Sequence, residues 1–192
     1  MIHNTLVLFA GAPGVGKSTL IRKLCQQYSS KYEYVRPYTT RAPRKNENDK
    51  IHVNYGTFTH LVKKKKIICP SHLYGNFYGP SITDIHRIIF EEKKIPVIDW
   101  PFKRIGYLQK AIPYTTLVFY VLPPDLITLK KRLSGNERES EKDRYIIAKK
   151  EIKNFKRMKN KTQINEIIIN KGNIRKIAKS LHKKISKRLG IK

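Results

Sequence analysis

Gly11, Gly16, Lys17 and Ser18 stand at the spacing G-x-x-x-x-G-K-[ST] without a mismatch, with a further glycine at Gly14. These types at this spacing suit a polyphosphate. Glycines let backbone N–H groups wrap the phosphates, where side chains would block the approach or forbid the dihedrals. A lysine sets a point charge beside the β- and γ-phosphates, and a serine hydroxyl offers an oxygen to Mg²⁺. On this reading Gly11, Ala12, Pro13, Gly14, Val15, Gly16, Lys17, Ser18 and Thr19 hold a nucleoside triphosphate, with Ser18 on the metal.

Such a loop works only if something aims it. Thr5–Ala10 is almost wholly apolar and reads as a strand buried on both faces. Leu20, Ile21, Leu24 and Cys25 follow Lys17 at helical spacing, so the loop joins a strand to a helix whose positive dipole end faces the phosphates.

A second constellation lies in R-P-Y-T-T-R-A-P-R, residues 36–44. Its prolines argue against helix. Arg41 and Arg44 sit three apart among hydroxyls, and guanidinium forks grip phosphate bidentately, so a second phosphate site is expected there.

Downstream, apolar runs at 95–98 and 117–122 read as buried strands, and Ile67 and Ile68 as a short one. Helical stripes run through 56–61, through Ile82, Ile85, Ile88, Ile89 and Phe90, through Leu126, Leu129 and Leu133, and through Ile174, Ile177, Leu181 and Ile185. Strands alternating with helices predict a parallel sheet. Asp99 closes one strand at its carboxyl end, the crevice where such sheets bind ligands; it would hold Mg²⁺ through water or orient the arginines. The polar stretch 134–144 carries Arg138 and Arg144, cations suited to a transferring phosphoryl group.

Several blocks resemble the guanylate kinases. T-T-R-A-P-R followed by Glu47 is similar to that family's acceptor-phosphate segment, and G-N-F-Y-G-P-S at 75–81 to its G-N-Y-Y-G-T-S. Val97-Ile98-Asp99, the V-L-P-P-D-L-I-T-L-K-K-R-L block at 121–133 and Ile167-Ile168-Ile169-Asn170 follow in the same order. The resemblance implies an α/β P-loop kinase fold of three layers: a parallel central sheet, an inserted acceptor-binding lobe at about 34–90 and a short lid at about 135–147. The core would take 1–33 and 91–192, within one domain. It implies transfer of the ATP γ-phosphoryl group, with Mg²⁺, to a nucleoside monophosphate, GMP first. By position Arg41, Arg44 and Tyr78 would clamp the acceptor phosphate, Glu47 and Asp99 would border it, and Asn170 would lie near the adenine. Lys17, Arg41, Arg138 and Arg144 would be the catalytic cations.

The chain departs from that family where guanine is read. Pro37, Cys69 and Pro101 stand in place of a serine, a glutamate and an aspartate. A thiol or a proline ring cannot accept the guanine N–H protons as a carboxylate does. His72, Asn76 or Asp84 would have to read the base instead. The alternatives are another acceptor, such as a different nucleoside monophosphate or ribose 1,5-bisphosphate, or a weakly active nucleotide-binding scaffold. Retention of Lys17 and Ser18 argues against the scaffold.

Composition sets the outer bounds. The 192 residues suffice for one α/β domain. Two cysteines, Cys25 and Cys69, fall short of a disulfide framework or zinc site and suit a reducing compartment. No apolar run reaches the ~20 residues of a membrane span, and no leader precedes the first strand, so a cytoplasmic protein is expected. The net charge of +27 is spread along a Lys- and Ile-rich chain, which reads as compositional bias rather than a specific nucleic-acid surface. The partners expected are small nucleotides, with the chain a monomer or homodimer.

Overall fold

Six consecutive buried residues make Thr5–Ala10 the central strand, β1. Its side chains alternate between two apolar layers: Val7 and Phe9 enter one, Leu6, Leu8 and Ala10 the other. A strand covered on both faces has no use for polar alternation, which is why it reads as a continuous apolar run. The computed structural model describes residues 4–43, 48–73, 75–134, 141–158 and 161–191, the side chains of 141–143 excepted.

Along the chain follow α1 (Lys17–Gln27), β2 (Tyr32–Tyr34), β3 (Tyr38–Thr39), β4 (Ile51–His52), α2 (Tyr55–Lys63), β5 (Ser71–Leu73), β6 (Asn76–Gly79) and α3 (Ile82–His86), the last running on as a π-helical turn, Arg87–Glu91. Then come β7 (Ile95–Asp99), a 3₁₀ turn at Phe102–Arg104, α4 (Ile105–Ala111), β8 (Thr115–Leu122), α5 (Leu126–Leu133), α6 (Glu141–Arg157), β9 (Glu166–Ile169) and α7 (Ile174–Leu189).

The main sheet is parallel, in the order β2-β7-β1-β8-β9. The chain leaves β1 towards β2 on one side and returns to β8 on the other. The carboxyl end of β1 is therefore a switch point, where the crossovers diverge and leave a crevice. α1, α5 and α7 cover one face and α3 and α4 the other. α6 serves both, with Ala148 and Ile152 on one side and Phe155 on the other.

A second sheet, β4-β3-β6-β5, mixes parallel and antiparallel pairs between residues 38 and 79. It forms the inserted lobe. Val35 before it, and Ile85, Ile88 and Ile89 after it, lie in a core layer of the main sheet. Glu33 on β2 and Arg87, Glu92 and Lys94 beyond α3 form an ion-pair cluster across the two crossings between lobe and core.

One local reading changes. Ile67 makes only an isolated bridge to Ser81 rather than a strand. Of the stretch expected as a lid, residues 141–147 are the opening turns of α6, and 135–140 lie outside the described residues. α6 itself escapes a periodicity reading because charged residues interrupt its apolar positions along most of its length. No helix among the described residues is long and apolar enough to cross a membrane.

Candidate active site

The loop between β1 and α1 is shaped by three left-handed glycines, Gly11 (φ 143°), Gly14 (φ 77°) and Gly16 (φ 93°). At Gly11 a Cβ would lie 2.4 Å from the Val121 carbonyl oxygen, which belongs to the neighbouring strand and cannot move aside. At Gly16 it would lie 2.3 Å from Asn170 Nδ2. That amide is in place for a reason: it donates to the Val15 carbonyl at 2.8 Å from a buried position. Arg132 braces the same carbonyl at 3.1 Å and donates to the Asn170 carbonyl at 3.2 Å. The loop is thus held from behind, and its N–H groups are left to the crevice.

The start of α1 is open in the same sense. α2, α3, α5 and α7 each have a side-chain cap, from Asn54, Ser81, Asp125 and Asn173. α1 begins after its N-cap Gly16 with no side-chain cap and no acid in its first turn, a condition that the shorter α4 shares. Its first N–H groups and positive dipole end face a site that favours an anion.

Lys17 Nζ donates to the carbonyls of Gly11 (2.7 Å) and Ala12 (3.1 Å) and lies 3.8 Å from Asp99 Oδ1. Register explains the meeting, since Phe9 pairs with Asp99 at the ends of β1 and β7. Burial pushes Asp99's carboxyl above its ordinary range, against the pull of Lys17 and Lys50. Lys50 was not singled out by the sequence pattern. It stands just before β4, paired with Asp49 at 3.2 Å, and both act on Asp99 from the lobe side.

On the lobe, Arg41 is fixed by its backbone. Its N–H donates to Thr39 Oγ1 (3.2 Å), and its carbonyl accepts from His52 Nδ1 (2.7 Å). Tyr78 sits on β6 between Thr39 and Ser71. The glycine-shaped loop and Asp99 therefore lie within electrostatic reach of Lys50, which precedes β4 on the small sheet, while Arg41 follows β3 on the same sheet.

A family model for guanylate kinase matches residues 3–188. The chain belongs to the guanylate kinase family. It is 34% identical to the guanylate kinase of Schizosaccharomyces pombe over 139 residues, 70% of this chain and 67% of that protein. It is 30% identical to guanylate kinase 1 of Oryza sativa over 138 residues, 70% of this chain but 36% of that protein. A crystal structure of guanylate kinase from Anaplasma phagocytophilum superposes with a TM-score of 0.68 at 18% identity, covering 98% of this chain and 88% of that one. The family comprises ATP-dependent nucleoside monophosphate kinases, transferases of the P-loop kinase fold, and the parallel sheet with its loop is that fold.

The three residues expected at the base-reading positions, Pro37, Cys69 and Pro101, are placed as follows. Cys69 sits in the left-handed region at φ 47°, its thiol donating to the Tyr107 carbonyl at 3.5 Å, so it is turned towards α4. Burial pushes that thiol up, so it stays a neutral group. Pro37 offers its carbonyl to Ile51 N, and Pro101 offers its carbonyl to Arg104 N. Trp100 is buried, its Nε1 donating to the Arg104 carbonyl at 2.9 Å, which makes it a packing residue. Cys25 is a core thiol, raised to about 12 by burial and then by Glu33.

The remaining expected residues fall as follows. Ser18 is half-buried and Thr19 exposed in the first turn of α1. Arg144 is half-buried in the first turn of α6. Arg44, Glu47 and Arg138 lie outside the described residues. Asn170 reaches the loop from behind, with Nδ2 engaged on Val15. Arg132 was missed; its place one helix before the polar stretch, on the face that turns to Val15, emerges only when β8 and β1 pair.

Proposed function

We propose that this chain transfers the γ-phosphoryl group of ATP to a nucleoside monophosphate, with GMP the first acceptor to test. The observation that carries the reading is Lys17, held between the loop carbonyls and Asp99 at the mouth of an uncapped helix. Family membership supports the same reaction.

The donor set suits Mg²⁺. The Ser18 hydroxyl and the Asp99 carboxylate are hard oxygen ligands, and Mg²⁺ keeps waters and substrate phosphates for most of its shell. When bound, the ion neutralises phosphate charge. The protein's own share is positioning and charge. Lys17 exchanges its loop carbonyls for the β- and γ-phosphate oxygens, while backbone N–H groups of 14–18 and the α1 dipole hold the polyphosphate. Arg41, with Tyr78, holds the acceptor phosphate in line, Lys50 adds charge beside it, and Arg144, with Arg138, serves the transferring group. No covalent enzyme intermediate is involved; catalysis is alignment plus electrostatic stabilisation.

A coupled ADP-release assay with Mg·ATP tests this, offering GMP, dGMP, AMP, CMP, UMP and ribose 1,5-bisphosphate. Turnover with a nucleoside monophosphate is the expected result, and Arg41→Ala should raise the acceptor KM and lower kcat. Turnover only with ribose 1,5-bisphosphate, or none with any acceptor while ATP still binds, would overturn the reading.

A further inference from the structure

Beside the crevice lies a cavity of about 580 Å³ between α4 and α6. Neither the phosphate loop nor the inserted lobe contributes to its lining. Its floor is aromatic. Phe155 stacks on Tyr120 with centroids 3.5 Å apart and planes 4° from parallel, and Phe102 meets both edge-on at 5.3 and 5.7 Å. Tyr107 stands at the mouth, 68% exposed, a large ring left in solvent where core packing cannot explain it.

The polar groups converge on that floor. Glu151 and Asn154, one turn apart on α6, line it together with Gln163. Lys103 and Lys110 rim the α4 side. Gly106 lies between them on the same helical face, and its missing side chain keeps the space open; a Cβ there would stand 3.4 Å from Gln163 Nε2. A glycine within a helix costs about 1 kcal/mol relative to alanine, so the opening is not free.

Flat π surfaces take a base by stacking. A carboxylate flanked by amides meets ring N–H and carbonyl edges. Ammonium groups at the rim take a phosphate. We propose that this cavity is a second nucleotide site, holding a purine nucleoside monophosphate with its base at Phe102 and Tyr107, Glu151 on the base N–H groups and Lys103 and Lys110 on the phosphate. Guanine is preferred, because its adjacent N1–H and N2–H donors match one carboxylate. Burial raises the carboxyl of Glu151, and the charges of Lys17 and Lys103 oppose this. Phe102 follows Asp99 by three positions, and Glu151 lies two turns beyond Arg144 on α6. An occupant therefore touches both elements that serve the crevice.

The test is equilibrium dialysis of labelled GMP against the full chain, with a non-hydrolysable ATP analogue saturating the donor site. Two equivalents are expected. Gly106→Leu, which fills the cavity, should remove one and leave the turnover KM for GMP unchanged. Lys103→Gln with Lys110→Gln, both surface changes, should weaken that same equivalent at least tenfold, and Glu151→Gln should narrow its preference for GMP over AMP. Arg41→Ala should remove the other equivalent. One equivalent that Arg41→Ala abolishes and Gly106→Leu spares overturns the cavity. One equivalent with the opposite pattern supports the cavity and removes GMP from the acceptor site. Binding indifferent to every cavity variant also overturns the proposal.

Discussion

The donor and acceptor sides of the crevice are built on different principles. On the donor side the phosphates would meet backbone. The loop's shape is set by left-handed glycines, by a six-residue strand buried on both faces, and by Asn170 and Arg132 bracing the Val15 carbonyl. On the proposed acceptor side the work would fall to side chains carried on or beside two- to four-residue strands. Backbone geometry tolerates almost no substitution, whereas a side chain can be exchanged for another chemistry without disturbing the sheet beneath it. On the proposed function, that difference would account for a glycine-shaped loop of the expected pattern beside a wall where Pro37, Cys69 and Pro101 stand at the expected base-reading positions.

Four measurements would break or sharpen this contrast. The largest effect is expected at Lys17. Lys17→Ala should lower kcat by roughly 10²–10³-fold or more, as loss of one preorganised charge donor does elsewhere. Near-normal turnover would remove Lys17 from the mechanism.

Gly11→Ala comes next. It adds a Cβ 2.4 Å from a strand carbonyl at φ 143°, so both sterics and backbone oppose it. A stability loss of about 2–4 kcal/mol is expected from overpacking plus strain, read by chemical denaturation. A loss under about 0.5 kcal/mol would mean the loop is softer than its packing implies.

The acceptor side should respond in the opposite way. Cys69→Glu with Pro101→Asp restores carboxylate acceptors, and should raise the kcat/KM ratio of GMP over AMP by about tenfold, or ~1.4 kcal/mol, with stability little changed. An unchanged ratio would show that the base lies elsewhere.

The smallest effect concerns the ion pairs at the lobe's two crossings. Burial pushes the Glu33 carboxyl up, but hydrogen bonds from Arg87 and Lys94 outweigh it and hold the group below the ordinary 4.5 of a glutamate. A folded-state pKa below the unfolded one stabilises above about pH 4.5, and that contribution is lost as pH falls through the depressed value. Thermal melts should therefore show Arg87→Ala costing about 1 kcal/mol at neutral pH and progressively less below pH 4.5. A constant difference down to pH 2 would exclude the linkage.

Much of this was legible in the residues. The loop could be read because its chemistry requires glycines at fixed intervals, flanked by a strand and a helix that are each apolar in their own period. β1, β7, β8 and α7 declared themselves in the same way. α6 did not, because charged residues interrupt its apolar positions and its buried contacts, Ala148, Ile152 and Phe155, divide between two layers. Lys50 and Arg132 carried no local signal at all, since a cation beside a turn, or one of three in the last turn of a helix, is ordinarily solvated.

By itself the sequence determined the P-loop pattern and the parallel α/β class. These are properties of local pattern and residue type. Only the tertiary structure decided that Lys17 meets Asp99, that Asn170 and Arg132 reach the loop from behind, that Cys69 turns towards α4, and that a cavity opens between α4 and α6. Each joins segments far apart in the chain. Strand register and helix packing set such meetings, and no short window of sequence contains them.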